Sequence, residues 1–228
     1  MAAREKSFRE IDGVPVYYMR ISPPDLHTAT WYCTNAFYTK LVAWKQSLEL
    51  GADKYGNYGT IEHLVSAGFY VNKPGQHGRG TAMDLDRVKW SNGTFASPYY
   101  QHHRHSSQTI RRRYYGVEAS LRRFFRYVLD GYYPNHHDHL HADLAGMPTV
   151  VRKSSRSDTL FVQAALNNFN SSGLAIDGVW GRRTNAAFND ASAKLPLSGS
   201  PFSSASAWQA WLWEVVRHGF ADAAFGQL

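Results

Sequence analysis

Apolar residues recur along the chain at two spacings, one typical of helices and the other typical of strands. An apolar residue at every third or fourth position predicts helices over residues 36–50, 61–68, 117–129, 159–169, 184–195 and 205–220. Alternation of apolar and polar residues, or a short apolar run, predicts strands over residues 69–71, 82–88 and 137–144. Residues 1–30 are aromatic but irregular and residues 101–113 are polar and basic, so neither segment is assigned a helix or a strand.

The order of these elements predicts an α+β protein, with a small antiparallel sheet and flanking helices followed by a C-terminal all-α domain of three helices. Between the two parts, residues 148–157 read PTVVRKSSRS and have the composition of a linker. We therefore predict one domain over residues 1–148, a linker over 149–157 and a helical domain over 158–228.

Composition supports a folded chain and narrows the class of partner. Of 228 residues, 43% are hydrophobic and 19% are charged, which is typical of a protein with a core. The formal charge of +7 favours an anionic partner such as a nucleic acid, an acidic membrane surface or a cell-wall polymer. No apolar stretch is long enough for a membrane span, so no membrane insertion is predicted.

Histidine is concentrated in one part of the chain, where it suggests metal binding or acid–base chemistry. Nine of the 11 histidines fall between His63 and His141. Two candidate half-sites follow, QHGRGTAMD at residues 76–84 and HHDHLH at residues 136–141.

Each half-site combines side chains that can reach one point. In the first, glycines allow a tight turn that brings His77 towards Asp84 on the following strand. In the second, His139 and His141 face the same side of a strand. Two imidazoles and a carboxylate are good zinc ligands, and three protein ligands leave a fourth position for water, as in catalytic zinc sites.

Taken together, the half-sites resemble those of the zinc DD-peptidases that include the D-alanyl-D-alanine peptidases, and most closely the extensin-like members. The first family motif is His, two residues, Gly, one residue, Ala, one residue, Asp, and it is matched by His77, Gly80, Ala82 and Asp84. The second motif, His-x-Asp-His-x-His-x-Asp, is matched by His136, Asp138, His139, His141 and Asp143. The resemblance covers residues 35–144, and the two motifs together are specific where either alone would be weak.

This resemblance implies a role for each matched residue. His77, Asp84 and His141 would bind one Zn²⁺ ion. Asp138 would be the general base, although it could instead hold the free N–H of a histidine ligand. His139 would stabilise the oxyanion, or would complete the metal site as a fourth ligand.

One departure from the family concerns substrate binding. A Cys-Arg pair of the family is replaced here by Val71-Asn72-Lys73. That family arginine is thought to bind a substrate carboxylate, so we expect Lys73 or Arg79 to take its place.

The C-terminal part resembles a second family, the three-helix peptidoglycan-binding domain. The resemblance rests on Val162-Gln163-Ala164-Ala165-Leu166, on Asp177-Gly178-Val179-Trp180-Gly181 and on Thr184. It implies that Trp180 is exposed and stacks on a sugar of the cell wall.

Other candidate residues have plainer interpretations. His102, His103 and His105 are predicted to be solvated loop residues rather than a second metal site. Arg111, Arg112 and Arg113 are predicted to be a solvated helix face, and because no nucleic-acid motif accompanies them no nucleic-acid partner is expected. Trp208, Trp211 and Trp213 are predicted to be core residues rather than a carbohydrate platform.

The leading hypothesis is a zinc metallopeptidase that hydrolyses peptide bonds in bacterial peptidoglycan stem peptides or crosslinks, as a DD-endopeptidase or carboxypeptidase. The alternative is a non-catalytic, zinc-containing protein that binds the cell wall. The N-terminal sequence MAAREKSFREIDG predicts no signal peptide, so we expect synthesis in the cytoplasm and action in the periplasm or cell wall. Two contexts fit: a phage endolysin, or an antibacterial effector whose partners would be a secretion machine and an immunity protein. The choice between D,D and L,D bonds stays open.

Overall fold

The computed structural model describes residues 3–145 and 150–228. These residues contain the strands β1 Lys6–Phe8, β2 Glu10–Ile11, β3 Val14–Tyr18, β4 His27–Thr28, β5 Trp31–Cys33, β6 Ile61–Gly68, β7 Ala82–Trp90, β8 Phe95–Ala96, β9 Tyr127–Leu129 and β10 Leu140–Asp143. They also contain the helices α1 Asn35–Gly56, α2 Gln108–Phe124, α3 Arg156–Phe169, α4 Arg182–Ala193 and α5 Ala205–Phe220. A single turn of 3-10 helix covers His102–Arg104.

The predicted α+β class is confirmed, and the sheet is larger than expected. Eight strands form it, in the order β2-β3-β6-β7-β10-β9, with β4 beside β3 and β8 beside β7. Every pair is antiparallel except β3 and β6, so the sheet is mixed. Strands β1 and β5 form a separate antiparallel pair. Within the first 30 residues, to which the sequence assigned no element, strands β1 to β4 therefore cover 12 of the described residues.

Strands β7 and β10 each have one apolar face and one polar face, and β9 extends the apolar face. Met83, Leu85, Leu140, Ala142 and Val128 are fully buried in the hydrophobic core, which they share with residues of α1 and α2. Because successive side chains of a strand point to opposite faces, the residues between them point away from this core. The alternation over 82–88 is confirmed as β7, which continues to Trp90.

The residues predicted as a helix over 61–68 form strand β6, so that prediction is wrong. Strand β6 lies between β3 and β7 in the middle of the sheet, and both of its faces are covered, so the successive residues Leu64 and Val65 are both buried. The register against β7 is irregular at Ile61/His63 and Val65/Ser66. This breaks the alternation of buried and exposed residues at every second position that would have indicated a strand. The strand predicted over 69–71 is also absent, because β6 ends at Gly68.

The helix predicted over 117–129 is shifted. Helix α2 begins at Gln108, inside the predicted loop, and ends at Phe124. The next residues form β9, which pairs with the edge of β10, so pairing with the sheet replaces the last helical turn. Likewise, the strand predicted over 137–144 is shorter and covers only Leu140–Asp143.

The three C-terminal helices form as predicted, with small shifts at their ends. Helix α3 begins at Arg156, within the predicted linker, and Ser155 caps it by accepting a hydrogen bond from Asp158 N. The predicted boundary at residue 148 lies outside the described residues. Helix α5 packs against α2 and α1. The division into two domains stays a prediction.

Close packing of α5 on α2 depends on a glycine. A Cβ added at Gly219 would lie 2.7 Å from the carbonyl oxygen of Arg112 and 2.9 Å from Gly116 Cα. Backbone atoms cannot move aside as a flexible side chain can, so the two helices would have to separate.

Each helix in the described part of the chain is too short or too polar to span a membrane.

We expect Gly219→Ala to lower the free energy of unfolding by about 1–3 kcal/mol, because it overpacks the contact between α2 and α5. Gly116→Ala is the matched control: its Cβ would meet nothing closer than 3.5 Å, so helix propensity should leave stability unchanged or raise it by up to about 1 kcal/mol. Urea unfolding of both variants measures the difference. Equal stability of the two variants would contradict the close packing.

Candidate metal centre

His77 lies in a compact loop between β6 and β7 that its neighbours hold in place. The backbone N–H of Gly80 donates to the carbonyl of His77, at 3.0 Å, and Thr81 Oγ1 donates to Gln76 Oε1, at 2.7 Å. A Cβ at Gly78 would collide with the carbonyl oxygen of Lys73. Only glycine therefore allows the loop to fold back on itself, and this fold buries the imidazole of His77.

Antiparallel pairing places Asp84 beside His141. Asp84 of β7 is the direct partner of His141 of β10, and both point to the polar face of the sheet. Side chains of directly paired residues lie on the same face, about 4.5–5.5 Å apart at Cβ. The first and second half-sites of the sequence therefore meet across two neighbouring strands.

Three side-chain groups that could hold a metal ion converge at this point. His77 Nε2 lies 3.1 Å from Asp84 Oδ2 and 3.3 Å from His141 Nδ1. His141 Nδ1 lies 2.9 Å from Asp84 Oδ1. These atoms all lie within 4.8 Å of one another, and in the described residues they form the only such group that could hold a metal ion.

Oxygen acceptors behind the two histidines determine which ring nitrogen faces the centre. His77 Nδ1 donates to the carbonyl oxygen of Phe69. His141 Nε2 donates to Asp143 Oδ2, at 3.1 Å. In the neutral rings, the lone pairs of His77 Nε2 and His141 Nδ1 therefore point to the centre, which is the arrangement that metal-binding histidines need.

The charges of the centre favour a cation. Burial opposes ionisation of Asp84, but hydrogen bonds with His141 and His77 outweigh it and hold the pKa of Asp84 well below its usual range. Burial also opposes protonation of His141, but Asp143 and Asp84 outweigh it and raise the pKa of His141 to about 9. A proton on His141 takes the place of a metal ion, so binding of a metal must release it.

His139 and Asp138 lie next to the three ligands. His139 Nδ1 donates to Asp138 Oδ1, at 2.8 Å, and its Nε2 lies 3.7 Å from Asp84 Oδ1. Asp138 thus orients His139 rather than one of the three ligands. Both residues precede β10, so the expectation that His139 shares a strand with His141 is wrong, although its ring still faces the centre.

Arg20 is a residue of the centre to which the sequence analysis assigned no role. Its Nη1 donates to Asp138 Oδ2, at 2.9 Å, while Nε and Nη2 donate to the two oxygens of Asp86, at 2.8 and 2.7 Å. Burial opposes ionisation of Asp138, but His139 and Arg20 outweigh it and lower its pKa. No local signal marks Arg20, because it lies 118 residues before Asp138 and follows a strand that the sequence did not predict.

The predicted substrate-binding residues lie away from these contacts. Lys73 and Arg79 are exposed in the loop that carries His77, and their predicted role stays a prediction. Trp180 is half-buried rather than fully exposed, because its ring packs edge-on against Phe188 and Phe202.

Several of the remaining candidate residues are buried within the fold. His102 and His103 are buried, so the prediction that they are solvated is wrong. Burial lowers the pKa of each to about 4, so both are neutral at pH 7. Trp208 and Trp211 are buried in the core, as predicted.

The basic run at the start of α2 is not a free cationic surface. Arg111 donates to Asn168 Oδ1, at 2.8 Å, and Arg112 to the carbonyl of Asn168, at 3.0 Å. Arg113 donates to Tyr58 Oη, at 2.9 Å. The three guanidinium groups therefore tie α2 to α3 and to the loop after α1, where a solvated helix face was predicted.

Comparison with known proteins adds no relative: no family model, no curated protein and no solved structure matches the chain.

We expect Asp84→Ala to abolish binding of a divalent metal, because it removes a ligand atom, and Asp143→Ala to weaken binding about 10–100-fold, because His141 loses the carboxylate that orients it. Isothermal titration with zinc against a competing chelator measures both effects. The control is Asp190→Ala, an exposed carboxylate on α4 that pairs with Lys194. Wild-type affinity in Asp143→Ala would show that its contact with His141 does not serve metal binding.

Proposed function

We propose that this protein is a zinc-dependent peptidase that hydrolyses peptide bonds in bacterial peptidoglycan. The observation that carries the proposal is the convergence of His77, Asp84 and His141 with Asp138 and His139 beside them. This is the arrangement that the resemblance to the extensin-like and D-alanyl-D-alanine peptidases implies. The α+β fold class agrees with this proposal, and so does the group of residues that could hold a metal ion. The reaction is what we propose beyond these two observations.

Zinc is the metal that suits this set of donors best. Two imidazole nitrogens and one carboxylate oxygen are typical of catalytic zinc sites, whereas Mg²⁺ and Ca²⁺ prefer oxygen donors alone. When bound, zinc would polarise the scissile carbonyl and lower the pKa of a bound water molecule to about 7.

In the proposed reaction, Asp138 is the general base. It accepts a proton from the attacking water and returns it to the leaving amine. Arg20 holds one oxygen of Asp138 and His139 holds the other, so the carboxylate has a fixed orientation. Arg20 also keeps Asp138 ionised, which a base requires before it accepts the proton.

His139 stabilises the oxyanion in this proposal. Its Nδ1 is occupied by Asp138, so Nε2 is the nitrogen that faces the centre. A protonated ring would present Nε2–H to the negative charge that develops on the carbonyl oxygen.

Peptidoglycan is proposed as the substrate on three grounds. Both parts of the chain resemble cell-wall proteins, and the net charge of +7 suits an anionic wall polymer. Trp180 keeps part of its ring exposed, which leaves room for a sugar to stack on it. The proposed setting is the cell wall, reached by phage lysis or through a secretion machine, with an immunity protein as a partner in the second case.

A second candidate is a non-catalytic, zinc-containing protein that binds the wall. The position of His139 favours it, because Nε2 lies 3.7 Å from Asp84 Oδ1 and a small rotation of the ring would make it a fourth ligand. A site filled by four protein ligands is typical of structural zinc.

Digestion of purified peptidoglycan separates the two candidates. We expect the zinc-loaded protein to release new muropeptides, detected by mass spectrometry, which also identifies the bond cleaved. Asp138→Asn should keep the metal but lower the rate about 10²–10⁴-fold, because it removes only the base. Asp84→Ala should lose both metal and activity, and Asp190→Ala should keep both. Binding of peptidoglycan without any cleavage by the wild type would favour the non-catalytic candidate.

The role of Arg20 predicts a change in pH dependence. Arg20 lowers the pKa of Asp138, so the ionised base persists to lower pH in the wild type. In Arg20→Gln this pKa rises, and the acid limb of the kcat/KM profile should move to higher pH. The control is Arg9→Gln, which removes an exposed arginine that contacts Thr30. An unchanged acid limb in a variant with wild-type melting temperature would exclude this role.

A further inference from the structure

A polar cavity lies at the edge of the sheet, next to the metal centre. Its volume is about 230 Å³. The residues that line it include Tyr127, Leu129, Tyr133, Arg152, Ser154 and Arg156. No acidic side chain lines the cavity, and a water molecule takes about 30 Å³ in the liquid, so the space suits a small polar group larger than one water.

Strand pairing places this cavity on the same face of the sheet as the metal ligands. Leu129 of β9 is the direct partner of His141, and Tyr127 is the direct partner of Asp143. Directly paired side chains share a face, and neighbouring strands lie about 4.8 Å apart. The cavity therefore begins about one strand spacing from His141.

A row of aromatic rings also connects the cavity to the metal centre. The ring of Tyr133 contacts that of His136 edge-on, with centroids 5.6 Å apart. The ring of His136 lies 4.9 Å from that of His139 and 5.8 Å from that of His141. A substrate at the metal centre would thus pass His136 and Tyr133 before it reached the cavity.

The cavity has positive charge that the nearby carboxylate of Asp158 does not fully balance. Arg152 Nε donates to Asp158 Oδ2, at 3.3 Å, but Asp158 also accepts from the buried Arg122, at 3.4 Å. Within the part of the chain that the structure describes, Arg152 Nη2 is buried and has no hydrogen-bond partner. That nitrogen is closed to solvent, but the Arg152 side chain as a whole is 26% exposed and lines the cavity. Its guanidinium group can therefore donate charge-assisted hydrogen bonds to a carboxylate in the cavity.

We propose that this cavity is a specificity subsite that binds a carboxylate of the substrate peptide through Arg152, with Arg156 and Ser154 at its wall. Since an extended residue spans about 3.3–3.6 Å, the carboxylate would lie within about three residues of the scissile bond. This proposal rests on the proposed function and adds a preference to it: the enzyme selects stem peptides with a free carboxylate over those with a carboxamide at that position.

The test uses pairs of synthetic stem peptides that are identical except for one carboxylate, which is a carboxamide in the second member. For the zinc-loaded wild type, we expect a KM about tenfold lower for the acid of one pair, the value of one charge-assisted hydrogen bond. Binding of the same peptides is measured by isothermal titration, so that affinity is known even where nothing is cleaved.

Three variants assign any preference to the cavity. Arg152→Gln removes the donor, and Ser154→Asp adds a negative charge at an exposed position of the cavity wall. Each variant should therefore bring the ratio of KM for the amide to KM for the acid down to about 1. Lys54→Ala, an exposed lysine on α1, removes a positive charge elsewhere and should keep the preference. Because Arg152 also contacts Asp158, melting temperatures are compared, and Ser154→Asp tests the proposal without that contact.

The outcomes distinguish this proposal from the proposed function. Cleavage of acid and amide with equal kcat/KM in every pair would overturn the subsite and leave the peptidase intact. A preference that Arg152→Gln and Ser154→Asp both retain would also overturn it. Binding of the acid without cleavage, lost in both variants, would support the subsite and contradict the peptidase, whereas neither binding nor cleavage would contradict both.

Discussion

The pairing of β7 with β10 is the constraint on which the site depends. It places Asp84 opposite His141, and a shift of one residue would turn one of them towards the core. The register is held from the other face, where Leu85 pairs with Leu140 and Met83 with Ala142, all fully buried. Moving these apolar side chains into water would cost about 1.5–3 kcal/mol for each of the larger ones. Packing of the core thereby determines which polar groups meet on the opposite face.

Alternation is visible in the sequence only where one face of a strand is buried. That condition holds for β7 and β10, so alternation predicted a strand in each half-site, and the family resemblance implied that residues 76–84 and 136–141 meet. The condition fails for β6, where consecutive residues are buried on both faces and the register is irregular, so its pattern resembled that of a helix. The short N-terminal strands have too few residues to show any period.

Contacts between distant segments were equally hidden from the sequence. Arg20 contacts Asp138 across 118 positions, and only the parallel pairing of β3 with β6 brings its strand into the sheet. The buried positions of His102 and His103 also depend on tertiary packing rather than on the polar sequence around them. The three residues that could hold a metal ion belong to compact motifs, so they could be named from the sequence and the family resemblance together. The residues that support them come from elsewhere in the chain, so they could not.

Four carboxylates lie close together on the polar face of a chain that is basic as a whole: Asp84, Asp86, Asp138 and Asp143. Burial raises the pKa of Asp86, and Arg20 opposes this with a two-pronged contact. Arg20 compensates two of the four, and the histidines and a bound cation would compensate the others. Removal of a bound cation would therefore leave buried carboxylates without compensation. This would destabilise the fold around the centre, in addition to removing the chemistry proposed for it.

The close contact between Gly219 of α5 and the backbone of α2 has a consequence for how the two parts of the chain would work together. A wall-binding module on a flexible tether raises the effective concentration of its enzyme over a volume set by the length of the tether. Here α5 is packed against α1 and α2, so the C-terminal helices and the sheet share a core and cannot swing freely. Under the proposed function, binding of the wall would present the metal centre at one distance and one orientation. The C-terminal helices would then influence which bonds are within reach, and not only how long the enzyme stays on the wall.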